Sequence, residues 1–315
     1  MSDPPRRSDT IIIQTWFGDK SAAYSFRSQN IPDWIQRCLH SVQKWAALHK
    51  HEYSLAGDEF YDLCGPEYLS RGNKNPRAIT NLARLVATRE RLDAGYQRVI
   101  WLDADVFVFD PARLVFDFPA ESLTTGYAFG REVILLRRAG VTHVMSPAPH
   151  NAATFFTQSD VDLDMLIALI RHVDSNRHIV SNYQVGVRLL RGLQYSLMFP
   201  TFSHVAVFSP VLLRALAEHD EKILRFYGQT YLYHSCAGNL CLARQEKVTE
   251  AVLMRAIDRL EAGQGDALNQ YAPEPGVRLL PYDSSTEIPA APLPLQFAEW
   301  RPRLKAKLQS LIAYR

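Results

Sequence analysis

What the chain lacks narrows its class before any motif is read. Of its 315 residues only four are cysteines (Cys38, Cys64, Cys236 and Cys241), and no two have CxxC spacing. That excludes a disulfide framework and predicts reduced, structural thiols in a cytoplasmic protein. Cys236 and Cys241 lie close to His234, but the spacing lacks the ligand pairs of a zinc site. No stretch approaches the ~20 apolar residues of a transmembrane helix. The polar start Met1-Ser-Asp-Pro-Pro-Arg-Arg-Ser-Asp9 does not read as a signal peptide. Charge of one sign is also missing. Thirty-five Lys and Arg meet 33 Asp and Glu, for a formal net charge of +2, so no global field favours nucleic acid or an anionic membrane. Internal repeats are absent, and the one biased tract is Pro-containing, over 273–294.

What is present is a chain 47% hydrophobic and 22% charged, ample for a sizeable core. One stretch stands out: Arg98-Val-Ile-Trp-Leu-Asp-Ala-Asp-Val-Phe-Val-Phe-Asp-Pro111. An apolar run enters a pair of acids, Asp103 and Asp105, and a second apolar run leaves it. In an extended backbone alternate side chains share a face, so the two carboxylates are expected side by side at the end of a buried strand. Two ionised carboxylates held that close require a cation, a proton or a Lys/Arg group between them. The oxygen donors suit a hard divalent cation.

Taken in order, residues 1–9 read as a tail. Thr10-Ile-Ile-Ile-Gln-Thr-Trp-Phe-Gly18 is a buried strand running into a loop. Pro32-Asp33 opens a helix, with Trp34, Ile35, Cys38, Leu39, Val42, Trp45 and Ala46 inward on a 3.6-residue period. His51 to Ala56 is a second strand. Strand, helix, strand opens an α/β fold with a parallel sheet. A helix over 77–94, ended by Gly95, puts Arg77, Asn81, Arg84 and Thr88 on one polar stripe. That stripe faces either the crevice at the strands' carboxyl ends or water. Further strands are expected within 123–137, 195–200, 204–208 and 230–233, with 147–151 a loop followed by an apolar run over 152–156. Helices are expected over 160–173 and 210–226. Composition shifts after about residue 245, and a basic amphipathic helix over 303–313 closes the chain. That helix is expected to pack on the domain; weak contact with a membrane surface is the alternative.

On these residues the chain resembles the metal-dependent nucleotide-sugar glycosyltransferases of the GT-A fold, closest to the retaining families numbered eight and thirty-two. Ile12-Ile13-Gln14-Thr15-Trp16 is similar to their first-strand motif. Arg84 falls at their helix arginine, and Asp103-Ala104-Asp105 matches their Asp-x-Asp motif. His234, in Tyr231-Leu-Tyr-His-Ser-Cys-Ala-Gly238, falls at their late metal-binding histidine. The chain departs from them at Asn81, where an aspartate is common, and at Gly238-Asn239-Leu240 after the histidine.

The resemblance implies a Rossmann-like, mixed and mostly parallel sheet flanked by helices. It implies a tail over 1–9, a catalytic domain over 10–245, and a helical, Pro-rich extension over 246–315 packed on it. It also implies transfer of a hexose from a UDP-sugar (or GDP-sugar), with retention, to a hydroxyl on a glycan, a lipid-linked glycan or a small molecule. Mn²⁺ or Mg²⁺ would be held by Asp103, Asp105 and His234. The nucleotide would meet Thr15, Trp16, Asp58, Asp103 and Ala104, and the diphosphate Arg77 and Arg84. Asn182 and Gln184 are the candidates beside the reacting sugar, and Asn151 for the acceptor side. Were the reaction inverting, Glu132, Asp160 or Asp162 would be the candidate base. A nucleotidyltransferase of the same fold would need a Gly-rich basic loop after the first strand, and Trp16-Phe-Gly-Asp-Lys20 has too little of one. A non-catalytic nucleotide-sugar-binding protein is the reading of a different class.

Overall fold

A computed structural model describes residues 8–16, 31–57, 59–70, 76–118, 126–138, 140–144, 148–157, 162–175, 185–197, 200–231, 233–240, 248–270 and 279–280, all within one compact unit. The strands are β1 (Thr10–Thr15), β2 (Glu52–Ala56), β3 (Arg98–Leu102), β4 (Val106–Val108), β5 (Tyr127–Glu132), β6 (Leu135–Arg138), β7 (Val141–Val144), β8 (Ala148–Thr157), β9 (Thr201–Phe202), β10 (Val205–Val207), β11 (Ala237–Asn239) and β12 (Leu279–Leu280). The helices are α1 (Asp33–Leu48), the short α2 (Glu59–Asp62) and α3 (Pro66–Ser70), α4 (Pro76–Asp93), α5 (Asp162–Ser175), α6 (Val187–Leu197), α7 (Pro210–Glu218), α8 (Glu221–Tyr231), α9 (Glu250–Arg259) and α10 (Asp266–Asn269).

The main sheet has the order β12-β9-β5-β8-β3-β1-β2. β1 pairs in parallel with β2 and β3, β8 is antiparallel to β3 and β5, β9 is parallel to β5, and β12 is antiparallel to β9. Five of the seven strands therefore point one way. This is the Rossmann-like, mostly parallel mixed sheet that the sequence predicts. Alternation splits its side chains between two layers. Ile11, Ile13, Val99 and Trp101 pack with α4 and α5, while Ile12, Ile100 and Leu102 pack with Val42 and Trp45 of α1. The crossovers from β1 to β2 and from β2 to β3 thus lie on opposite faces. The carboxyl ends of β1 and β3 form the switch point where such sheets bind ligands.

Local sequence explains the elements that frame this edge. The α1 residues predicted inward are the buried ones. α4 ends before Gly95, whose φ of +97° only glycine adopts freely. The helix expected over 210–226 is instead two, because His219 turns left-handed at φ 57° between α7 and α8. Two short aromatic runs predicted as strands are helical. Tyr195 closes α6, and Thr230 and Tyr231 close α8, whose buried Leu224, Tyr227 and Tyr231 follow the helical period. The loop expected at 147–151 is, from Ala148 on, the start of β8, which shifts register against β5 between Phe129 and Gly130.

A second sheet, β10-β11-β4, stands beside the first, and β6 pairs with β7. Around the second sheet α1, α7, α8 and α9 bury a separate cluster containing Phe107, Phe208, Leu212 and Ile257. Residues 248–270 belong to this packing. No helix among the described residues is long and apolar enough to cross a membrane. The C-terminal basic helix expected over 303–313 lies outside the described residues.

Candidate active site

The chain leaves the main sheet at Leu102 and enters the second sheet at Val106. Between them the Val106 N–H donates to the Asp103 carbonyl at 3.0 Å, closing a four-residue turn. The extended geometry expected for 103–105 is therefore replaced by a turn, and each aspartate is fixed by a different sheet.

Asp103 belongs to the main sheet. Its N–H donates to Ala152 O on β8 at 2.7 Å, and its carbonyl accepts from Gln14 Nε2 on β1 at 3.1 Å. Its Oδ1 accepts from Trp101 Nε1 at 2.7 Å and pairs with Arg84 Nη1 at 3.0 Å. Both partners meet Oδ1 and the side chain is 28% exposed, which leaves Oδ2 available to a ligand.

Asp105 belongs to the second sheet. It is 8% exposed, its Oδ1 accepts from Asn239 Nδ2 at 2.5 Å, and its carbonyl accepts from Leu240 N at 2.8 Å. Its charge reaches α1, where burial first and Asp105 second push the Cys38 thiol well up.

The polar stripe of α4 does not face bulk water: Asn81, Arg84 and Thr88 are buried. The Arg84 guanidinium donates to Asn151 O and lies 5.0 Å over the Trp101 ring, besides pairing with Asp103. Burial pulls its pKa down, opposed by the field of Asp103 and then of Asp105. Asn151 Nδ2 donates to Asn81 Oδ1 at 2.7 Å. Asn81, Arg84, Asn151 and Thr154 line the polar side of a small pocket; Phe129, Leu166 and Leu190 are among its apolar walls.

The other predicted residues divide. Thr15 is buried at the end of β1 and its hydroxyl donates to Ala56 O at 2.9 Å, joining β1 to β2. Trp16 follows it and packs on the second cluster. Ala104 is buried in the turn. Glu132 is buried and ion-paired with Arg191, and Asp162 begins α5. Arg77 lies in the first turn of α4. Its side chain, and Asp58, Asp160, Asn182 and Gln184, lie outside the described residues.

His234 is not brought to the aspartate pair. In the antiparallel ladder Ala237 faces Val108 and Asn239 faces Val106. Asp105 therefore sits beyond one end of the β4–β11 ribbon and His234 beyond the other, with roughly 10 Å of strand between. His234 lies with Asp110 and Cys236 instead. The residue that does meet Asp105 across the ribbon is Asn239. It is separated from Asp105 by 134 positions, and nothing local in the sequence marks it. Trp101, by contrast, could have been found: two positions before Asp103 in a strand, it shares its face.

No family model and no curated protein matches the chain. Among solved structures it is similar to a glycosyltransferase involved in the glycosylation of the major capsid of PBCV-1, at 9% identity and a TM-score of 0.38, over 80% of this chain and 98% of that one. The chemistry of the site rests on its own geometry.

Proposed function

We propose that the chain is a glycosyltransferase that moves a hexose from a nucleotide-sugar to a hydroxyl acceptor at the crevice between β1 and β3. One observation carries this reading: the turn bearing Asp103 and Asp105 lies at the carboxyl edge of the parallel strands, at their switch point.

The donor set supports a divalent cation there. Asp103 offers Oδ2, Asp105 is oriented by the Asn239 NH2 group, and carboxylate oxygens are the donors Mg²⁺ and Mn²⁺ take. Asp103 and Asp105 are the groups that would hold it, with Asn239 orienting Asp105 through its Nδ2 hydrogen bond. Without His234 the set is all oxygen, so Mg²⁺ should serve as well as Mn²⁺. The cation would stabilise the charge that develops on the leaving diphosphate, by several kcal/mol.

The chain's own residues set the geometry. Trp101 and Arg84 fix the orientation of Asp103, Gln14 ties its backbone to β1, and the buried Thr15 keeps β1 and β2 together where the nucleotide would lie. Retention and preference for a UDP-sugar are the finer reading, drawn from the family resemblance.

One observation favours a second reading, a nucleotide-sugar-binding protein without transfer. The Arg84 guanidinium is already engaged by Asp103 and Asn151, so a diphosphate would have to compete for it.

A thermal-shift panel of UDP- and GDP-sugars, with and without Mn²⁺ or Mg²⁺, tests the site. We expect cation-dependent stabilisation by one nucleotide and release of nucleoside diphosphate from its sugar. Asp105→Ala should abolish both effects. Stabilisation without turnover would select the binding protein, and no stabilisation by any nucleotide would sink both readings.

A further inference from the structure

The other end of the β4–β11 ribbon holds a second set of donors. Asp110 follows β4, while His234 and Cys236 precede β11. One ligand atom from each (a carboxylate oxygen, an imidazole nitrogen and the sulfur) lies within 4.8 Å of the other two. Cys236 is fully buried, His234 is 7% exposed and the Asp110 side chain 21%. The sequence lacked paired ligands around Cys236; the fold supplies Asp110, which lies 124 positions from His234.

A separate observation says what these atoms face. Asn269 Oδ1 accepts from Ser235 N and its Nδ2 donates to Ser235 O, both at 2.8 Å, which fixes the orientation of the amide. The same Nδ2 lies 3.3 Å from His234 Nε2, which holds the imidazole edge toward Asp110. Nε2 and the Asp110 carboxylate, which also accepts from Arg113 Nη1, face each other at 3.4 Å beside a buried sulfur. A nitrogen, an oxygen and a sulfur able to ligate a metal thus converge at this end of the ribbon.

We propose that Asp110, His234 and Cys236 bind a transition metal of the Zn²⁺ class, at a three-ligand site that joins the two strands at this end of the ribbon. The donors are the nitrogen, sulfur and oxygen that Zn²⁺ takes. Bonds of about 2.0–2.3 Å in a tetrahedron place ligand atoms about 3.3–3.8 Å apart, and the nitrogen–oxygen edge already has that length. As the metal–sulfur bond forms, the thiol proton of Cys236 leaves to solvent. Thiolate and carboxylate then balance the 2+ charge, and solvent takes the fourth position on the Asp110 side. Arg113, which pairs with Asp110 at 3.2 Å, and Asn269 are positioning residues. The site is separate from the cation proposed at Asp103 and Asp105.

Co²⁺ titration of the full chain, stripped of metal with a chelator, tests this. Expected are a sulfur-to-cobalt charge-transfer band and tetrahedral d–d bands that saturate at one metal per chain and are displaced by Zn²⁺. Cys236→Ser should abolish the charge-transfer band, and Asp105→Ala should leave it intact. Asp110→Asn, at a partly exposed position suited to keep the fold, should weaken Zn²⁺ by more than about tenfold. No charge-transfer band in the wild type, a band unchanged in a folded Cys236→Ser, or an unchanged Zn²⁺ affinity in Asp110→Asn would each overturn the proposal.

Discussion

Arg84 holds its guanidinium against the Asp103 carboxylate, the Asn151 carbonyl and the Trp101 ring at once. A planar fork can do this; a point ammonium cannot. Arg84→Lys should therefore destabilise the fold by about 1–3 kcal/mol, below the range of a fully buried pair because Asp103 is partly solvated. Urea denaturation measures it, and less-than-additive loss in the double variant with Asp103→Asn shows that the two act as one unit. His150 gives the site a pH dependence. Its Nε2 donates to Val205 O at 3.1 Å and its Nδ1 accepts from Ala152 N at 3.2 Å, which suits the neutral ring. Burial lowers its pKa to about 4, opposed by the Val205 hydrogen bond and helped by Arg84. The unfolded chain therefore binds more protons between about pH 6.5 and 4. The contribution is whole above pH 6.5 and shrinks as pH falls through that window. Stability should drop by roughly 1 kcal/mol for this residue between pH 7 and 5.5. His150→Gln should flatten the slope only in part, since His51 is also lowered to about 4 by burial.

The β4–β11 ribbon links the two proposed sites, and one glycine sets how closely it packs. A Cβ on Gly238 would stand 2.3 Å from the Phe208 ring, which is itself fully buried. Gly238→Ala should displace β11 and with it Asn239, costing about 1–3 kcal/mol and weakening cation-dependent nucleotide binding. Phe208→Leu in the same chain should recover part of both, read by denaturation and thermal shift. The packing also shows which elements were legible in the sequence. α1 was, because seven inward residues at one helical period leave no rival register. β3 and the edge it ends on were, because an apolar run bounded by acids has few other uses. The turn at 103–106 was not: apolar runs on both sides outweigh the turn preference of its two Asp residues, with neither Gly nor Pro to mark the break. Nor was the grouping of these side chains, since Asn239 and Asp105, or His234 and Asp110, meet only through a ladder joining distant parts of the chain.

At the scale of the whole molecule, the second cluster depends on residues far beyond the sites. Leu253, Ala256 and Ile257 of α9, Leu260 after it and Leu268 of α10 are each 3% exposed or less. They share a core with Ile35 and Cys38 of α1 and Leu212 of α7. Arg37 of α1 fastens the same face through Asp258 and Glu261, each at 2.7 Å, though such exposed pairs add little. Burying five apolar side chains contributes on the order of 10 kcal/mol, comparable with the ~5–15 kcal/mol that separates most folded domains from their unfolded state. A chain ended after residue 245 should therefore lose its cooperative melt and bind hydrophobic dye. A chain ended after residue 282, the limit of the compact unit, should keep the melt. The distinction bears on the site as well, since Ala104 of the turn belongs to this cluster and Cys38 of α1 lies in the field of Asp105. If the shorter chain melted cooperatively and still bound nucleotide with a cation, α1 and the Asp103–Asp105 turn would be held by the main sheet alone.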